Sequence, residues 1–153
     1  MEARTFIGRR RLIVAALATV ALAGVVGSGV ALATPAGPAG ASTATILADG
    51  HFVNTINSNT EPTKLRTKDA VEVFQVSNVA NAGWTSGWHA HTGPVLVNIT
   101  SGSLTFYAAD CSVTTVSAGH GYFETSGEPI LVRNEGSGVA AWVTTQIILV
   151  GAS

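Results

Sequence analysis

The sequence contains a single cysteine, Cys111, among its 153 residues. One thiol cannot form a disulfide within a chain, so the fold must be stabilised by its hydrophobic core. Charged residues are also scarce, at 11% of the chain, and acidic residues slightly outnumber basic ones. This low charge, with 17 glycines and 46% hydrophobic residues, excludes a disordered tail, a coiled coil and a basic nucleic-acid-binding protein.

The N-terminal region has the three-part order of an export signal. Four arginines within the first 11 residues precede an uncharged apolar run over 12–26, and the small-residue site Ala31-Leu32-Ala33 follows. We predict that residues 1–33 are a signal peptide, cleaved after the second alanine of that site, and that 34–45 form a flexible leader. The mature chain is then exported across the cytoplasmic membrane, to the cell envelope or the medium. A retained membrane anchor is the alternative, and both a twin-arginine and an ordinary secretory signal fit the pattern.

The rest of the chain consists of short β-type runs separated by turn residues. In Val95, Val97 and Ile99 every second residue is apolar, as in a strand with one buried face. Only residues 60–70 offer a helical turn. Seven or eight short strands in about 105 residues predict an all-β sandwich or barrel over residues 46–153. The predicted strands are 71–76, 95–100, 103–107, 113–117, 122–124, 130–133 and 140–150.

Chemistry-bearing residues concentrate around His89 and His91. Two histidines at i and i+2 on a strand point to the same face and can reach one ligand or ion. The segment resembles the first motif of the cupin superfamily, G-x5-H-x-H-x3,4-E-x6-G, from Gly83 to Gly102. The second motif, G-x5-P-x-G-x2-H-x3-N, is matched in spacing by Gly119, Gly127 and Asn134. The resemblance implies a single cupin-type jelly-roll β-barrel.

Two of the four metal ligands that the family motifs imply are replaced by apolar residues. Val95 stands where the first motif has its glutamate, and Ile130 stands where the second has its histidine. His89 and His91 thus form half a metal site, and two imidazoles alone hold a divalent ion weakly. His51, His120 and Glu124 are the candidates for a third ligand. His120, between two glycines, is interpreted as a solvated turn residue. Glu124 belongs to a β-type run, and its side chain can point to either face of the sheet.

The sequence is compatible with three functions. The preferred hypothesis is an exported cupin without a tightly held metal that binds a small molecule in its barrel cavity. The second is a metal-dependent enzyme of the dioxygenase or isomerase type with iron, manganese or zinc on His89 and His91. The third is a structural or interaction barrel with a filled core. The resemblance also implies a homodimer, and nucleic acid is excluded as a partner by a mature chain with four basic and eight acidic residues. The predicted ligand pocket comprises His89, His91, Val95, Ile130 and Trp84.

Overall fold

The computed structural model describes residues 40–151, and the predicted signal peptide, residues 1–33, lies outside them. These residues form eleven β-strands and no helix, so none of them belongs to a helix long and apolar enough to cross a membrane. The strands are β1 (Ser42–Phe52), β2 (Asn57–Thr60), β3 (Thr63–Arg66), β4 (Val71–Ala80), β5 (Thr85–His89), β6 (Val95–Ser101), β7 (Ser103–Ala108), β8 (Val113–Ser117), β9 (Gly121–Glu124), β10 (Ile130–Arg133) and β11 (Ala140–Leu149).

The strands pair into two main antiparallel sheets and one hairpin. The larger sheet has the order β1-β4-β11-β6-β9, the smaller one has the order β5-β10-β7-β8, and β2 pairs only with β3. The all-β class is therefore confirmed. Among the described residues, the backbone hydrogen bonds join the strands within these sheets and do not close them into one continuous barrel.

The hydrophobic core lies between the two main sheets. The larger sheet contributes alternate residues such as Val97 of β6 and Trp142 of β11, and the smaller sheet contributes Leu104 and Phe106 of β7. The burial of β6 alternates over its first five residues, as the sequence predicted, because successive side chains of a strand point to opposite faces. The two sheets therefore share one interior.

Two expectations about local structure differ from the structure. Residues 60–70 do not form a helical turn, because β2 and β3 form a hairpin through a turn at Glu61 and Pro62. Proline fixes φ and favours a turn, and the mostly polar residues on either side suit a solvent-exposed ladder. The strand β1 begins at Ser42, inside the range predicted as a flexible leader, since its backbone pairs with β4 up to Ala80.

Candidate functional site

His89 is the last residue of β5, and a backbone hydrogen bond holds its ring. Its Nδ1 lies 3.1 Å from the carbonyl oxygen of Gly87. A carbonyl oxygen can only accept, so Nδ1 carries the proton and donates, which leaves the lone pair of Nε2 available. A partner of this kind fixes the orientation of a metal-ligating or substrate-binding imidazole.

His91 faces a buried carboxylate from another strand. Its Nε2 lies 3.1 Å from Oε2 of Glu124, and the two side chains are only 11% and 6% exposed. The rings of His89 and His91 stand edge to face, with centroids 4.9 Å apart. One ligand atom from each of His89, His91 and Glu124 can be chosen so that all three lie within 4.8 Å of one another. The structure thus brings together three groups that are 35 residues apart at most in the sequence.

The register of the larger sheet explains how Glu124 reaches the histidines. Val95 of β6 pairs directly with Glu124 of β9, and Val95 is fully buried. A carboxylate therefore stands beside the position where the family motif places its glutamate, on the neighbouring strand. Ile130 pairs directly with His89 across β10 and β5 and is also buried. The sequence offers Glu124 as a candidate third ligand but contains no signal for the pairing of β6 with β9.

The two other histidines considered as a third ligand lie elsewhere. His120 is exposed and follows the turn after β8. His51 is on the edge strand β1, where its Nε2 lies 3.6 Å from Oε2 of Glu72 and its side chain is 60% exposed. Asp49 completes a second group of three ligand types there. Neither histidine joins His89 and His91.

A partly open cavity adjoins the three groups. It offers about 70 Å³ to the centre of a water molecule. Since one water needs about 10–15 Å³ on this measure, the cavity has room for several waters or for a small ligand. His89, His91, Glu124 and Trp84 line it, whereas Val95 and Ile130 lie in the packed core beside it. Its wall includes residues of both sheets.

Trp84 and Trp142 form an aromatic end of the cavity. Their ring centroids are 5.1 Å apart with an angle of 48° between the planes. Trp84 is buried, and its indole Nε1 is the one buried side-chain polar atom without a hydrogen-bond partner among the described residues. Trp88, the other tryptophan near the histidines, is 58% exposed and does not belong to the cavity wall. Of the two tryptophans beside the histidines, only Trp84 contributes to the site.

Tyr122 lies two residues before Glu124 on β9, and both burial and the Glu124 carboxylate change the pKa of its phenol. Burial raises the pKa of its phenol above the ordinary value of 10.0, and the nearby negative charge of Glu124 raises it further. Its ring stacks on Phe106 with centroids 4.0 Å apart. Tyr122 is therefore neutral at physiological pH and supports the site by packing.

The segment that carries His91 is held from two sides. The backbone N–H of Gly127 donates to the carbonyl oxygen of His91 at 2.8 Å, and the hydroxyl of Ser126 donates to that of Thr92 at 2.9 Å. On the other side Gly93 packs against β11, where an added Cβ would lie 1.8 Å from the carbonyl oxygen of Ile147. Only glycine fits this close backbone approach, which places the segment against the larger sheet.

We predict that Gly93→Ala lowers the free energy of unfolding by about 1–3 kcal/mol, because the new methyl group forces two backbone segments apart. Urea denaturation followed by tryptophan fluorescence measures the change. Gly138→Ala is the matched control, since an added Cβ at Gly138 meets nothing within 4 Å. Equal stability of the two variants would contradict the proposed contact between Gly93 and β11.

The separation between His91 and Glu124 fits one shared cation. Two ligand atoms that are each about 2.0–2.2 Å from a metal lie roughly 3 Å apart, which matches the 3.1 Å between His91 Nε2 and Glu124 Oε2. Two imidazoles and one carboxylate are also a donor set that transition metals favour. The residues present thus fit a divalent metal, even though Val95 and Ile130 replace two of the ligands implied by the family motifs.

Comparison with known proteins identifies the fold. No protein-family model and no curated protein matches the chain. Among solved structures, a cupin superfamily protein from Desulfitobacterium hafniense is similar with a TM-score of 0.51 and 11% sequence identity, over 71% of this chain and 78% of that one. A cupin 2 conserved barrel domain protein from Leptotrichia buccalis is similar with a TM-score of 0.50 and 13% identity, over 70% of this chain and 41% of that one. The chain therefore has the fold of the cupin superfamily, as its motif spacing predicted.

Proposed function

We propose that this protein is a metal-dependent enzyme that acts on a small molecule, with a divalent transition metal held by His89, His91 and Glu124. The observation that carries the proposal is the convergence of these three groups in the wall of one cavity. Sequence analysis favoured a metal-free protein because it found only two ligands, and Glu124 supplies the third.

The charges of the site support this proposal. Glu124 is 6% exposed, and no Lys or Arg lines the cavity among the described residues. A buried carboxylate is costly unless a hydrogen bond or a cation compensates it. A divalent ion beside Glu124 would provide that compensation, and neutral His89 and His91 would complete the donor set.

Each residue has a distinct part in the proposed chemistry. A bound ion would act as a Lewis acid that polarises an oxygen of the substrate or lowers the pKa of a bound water. The Gly87 carbonyl holds the His89 ring, the contacts of Gly127 and Ser126 hold the His91 segment, and Glu124 balances positive charge. The aromatic and aliphatic walls of the cavity limit the number of waters around the site, which strengthens the electrostatic interactions beside them.

A metal-free binding protein is the second candidate, and one contact favours it. At 3.1 Å, the His91 Nε2–H can donate directly to Glu124 Oε2, which satisfies both buried groups without an ion. In that case the pair would serve as a polar anchor for the ligand, and the protein would store or carry a small molecule.

Metal analysis of untagged protein purified from its native compartment without added metal distinguishes the two candidates. We expect about one equivalent of zinc, iron or manganese per chain, and a Tm that falls when a chelator removes it. His51→Gln serves as a control and should retain the metal, because its cluster is separate from the cavity. Metal-free protein whose Tm is unaffected by both chelator and zinc would support the second candidate instead.

A further inference from the structure

One wall of the cavity carries a strip of neutral polar side chains. Gln146 and Thr144 are successive inward-facing residues of β11, and Asn78 of β4 pairs with Trp142, the next inward-facing residue. The opposite wall, on the smaller sheet, includes Leu104, Phe106 and Val132. The polar strip thus lies across the cavity from these apolar residues, and Ser86 and His89 add polar groups to the wall of the smaller sheet.

Gln146 is the most deeply buried member of this strip, with 7% of its surface exposed. None of the side-chain hydrogen bonds among the described residues uses its amide. Since Trp84 Nε1 is the one fully enclosed polar atom without a partner, the Gln146 amide must border open space. That space is the cavity, which Gln146 lines. A buried amide without a protein partner is satisfied by water or by a ligand in the cavity, which makes Gln146 a candidate ligand contact.

Gln146 is placed next to the proposed metal site. In the larger sheet Val95 pairs with Gln146 on one side and with Glu124 on the other. Gln146 and Glu124 both line the cavity and flank the packed side chain of Val95. The backbones of Gln146 and Glu124 are therefore two strand spacings apart, about 10 Å, and both residues line the same cavity.

The charge of the cavity wall limits what this amide can bind. Glu124 is the one acidic residue in the wall, and the wall contains no Lys or Arg among the described residues. The basic residues of the described chain are Lys64, Arg66, Lys68 and Arg133, and Arg133 is paired with Glu135 at 3.5 Å. An anionic group beside Gln146 would lack a cationic partner from the protein, whereas a carbonyl, hydroxyl or amide would be matched by the neutral strip.

We propose that Gln146 is a substrate-positioning residue that hydrogen-bonds a neutral oxygen-bearing group, and that the substrate is a small molecule uncharged at this end. This inference rests on the proposed function to the extent that the cavity is the substrate site. The amide both donates and accepts, so it matches a carbonyl, a hydroxyl or a carboxamide in one orientation or the other. The cavity volume of about 70 Å³ available to the centre of a water molecule suits a small substrate group.

The test compares two probes of the same size, neutral glycolamide and anionic glycolate, on metal-free protein by NMR titration of backbone amides. We expect glycolamide to bind with a millimolar Kd and glycolate to bind more weakly. Gln146→Leu should reduce glycolamide affinity about fivefold, the value of one hydrogen bond of about 1 kcal/mol. Gln75→Leu is the matched control, because Gln75 is the other glutamine of the chain and is exposed.

Stability and zinc binding separate this role from others. Gln146→Leu should keep or raise the Tm, since the amide that it removes has no protein partner. Its zinc affinity should equal that of the unmodified protein, because the proposed ligands are His89, His91 and Glu124. Unchanged glycolamide affinity in Gln146→Leu, glycolate binding as tight as glycolamide binding, or no glycolamide binding up to about 100 mM would overturn the inference. A large loss of zinc affinity in Gln146→Leu would overturn it too, by making Gln146 a metal ligand. Failure of the unmodified protein to bind zinc would instead count against the proposed function and leave the glycolamide result interpretable.

Discussion

Asn134→Ala is expected to lower the free energy of unfolding by about 3–5 kcal/mol, the largest stability effect of any substitution considered for this protein. Asn134 is 1% exposed. Its Nδ2 donates to the carbonyl oxygens of Ala80 at 3.1 Å and Gly138 at 2.9 Å, and its Oδ1 accepts from the backbone N–H of Gly136 at 3.1 Å. Truncation leaves the buried Ala80 carbonyl unpaired, which costs about 1–3 kcal/mol, and removes two further hydrogen bonds to exposed loop residues, each worth about 0.5–1.5 kcal/mol.

The main chain of Asn134 adjoins the tryptophan end of the cavity. The backbone N–H of Asn134 donates to the carbonyl oxygen of Trp84, and the N–H of Gly83 donates to that of Asn134, both at 2.9 Å. Asn134 therefore connects the turn before β5 with the loop after β10 and holds the tryptophan end of the cavity. Urea denaturation gives the change in free energy. Asn98→Ala, at an exposed position of β6, is the control and should change stability by less than about 0.5 kcal/mol. A similarly small effect of Asn134→Ala would show that its hydrogen bonds are replaced by water.

The largest functional effect is expected from Glu124→Gln, which should reduce zinc affinity by about 100-fold or more. Glu124 is the anionic member of the proposed ligand set, and an amide is a much poorer ligand for a transition metal than a carboxylate. Glutamine has almost the same size as glutamate and can still accept a hydrogen bond from His91 Nε2, so the fold should be retained. Competition with a chromophoric chelator measures the affinity.

Glu128→Gln is the matched control for this measurement. Glu128 is exposed and lines a surface pocket that also borders Glu124, so its substitution makes the same charge change nearby without removing a proposed ligand. We expect its zinc affinity to stay within about threefold of the unmodified protein, since exposed charges are screened by salt. If both variants lose affinity equally, the carboxylates act only through long-range electrostatics and Glu124 is not a ligand.

Much of the strand pattern could be predicted from the sequence. The predicted strands that became β6, β7, β8, β9, β10 and β11 differ from the observed ones by at most one residue at either end. Local signals suffice there, because β-branched and aromatic runs are bounded by turn residues that cannot continue a strand. Gly102, between β6 and β7, illustrates such a boundary: its φ is +69°, and an added Cβ would lie 2.7 Å from the carbonyl oxygen of Val139.

The prediction was poorer where strands depend on pairing. The strand β5 (Thr85–His89) contains glycine, serine and histidine and has no alternating apolar residues, so nothing local marks it as a strand. It is extended because β10 pairs with it. The strand β1 is mostly exposed and is likewise kept in place by its pairing with β4.

By itself, the sequence determined the all-β class, the spacing of the cupin motifs and the presence of His89 and His91 on one short segment. These features depend on residues close in the chain, whose geometry is set by strand periodicity and turn preference. The tertiary structure alone decided that Glu124, and not His51 or His120, joins the two histidines, and that Gln146 faces the same cavity. The reason is that β9, β6 and β11 are brought side by side by hydrogen bonds between distant segments, and a one-residue change of register would turn Glu124 and Gln146 to the outer face.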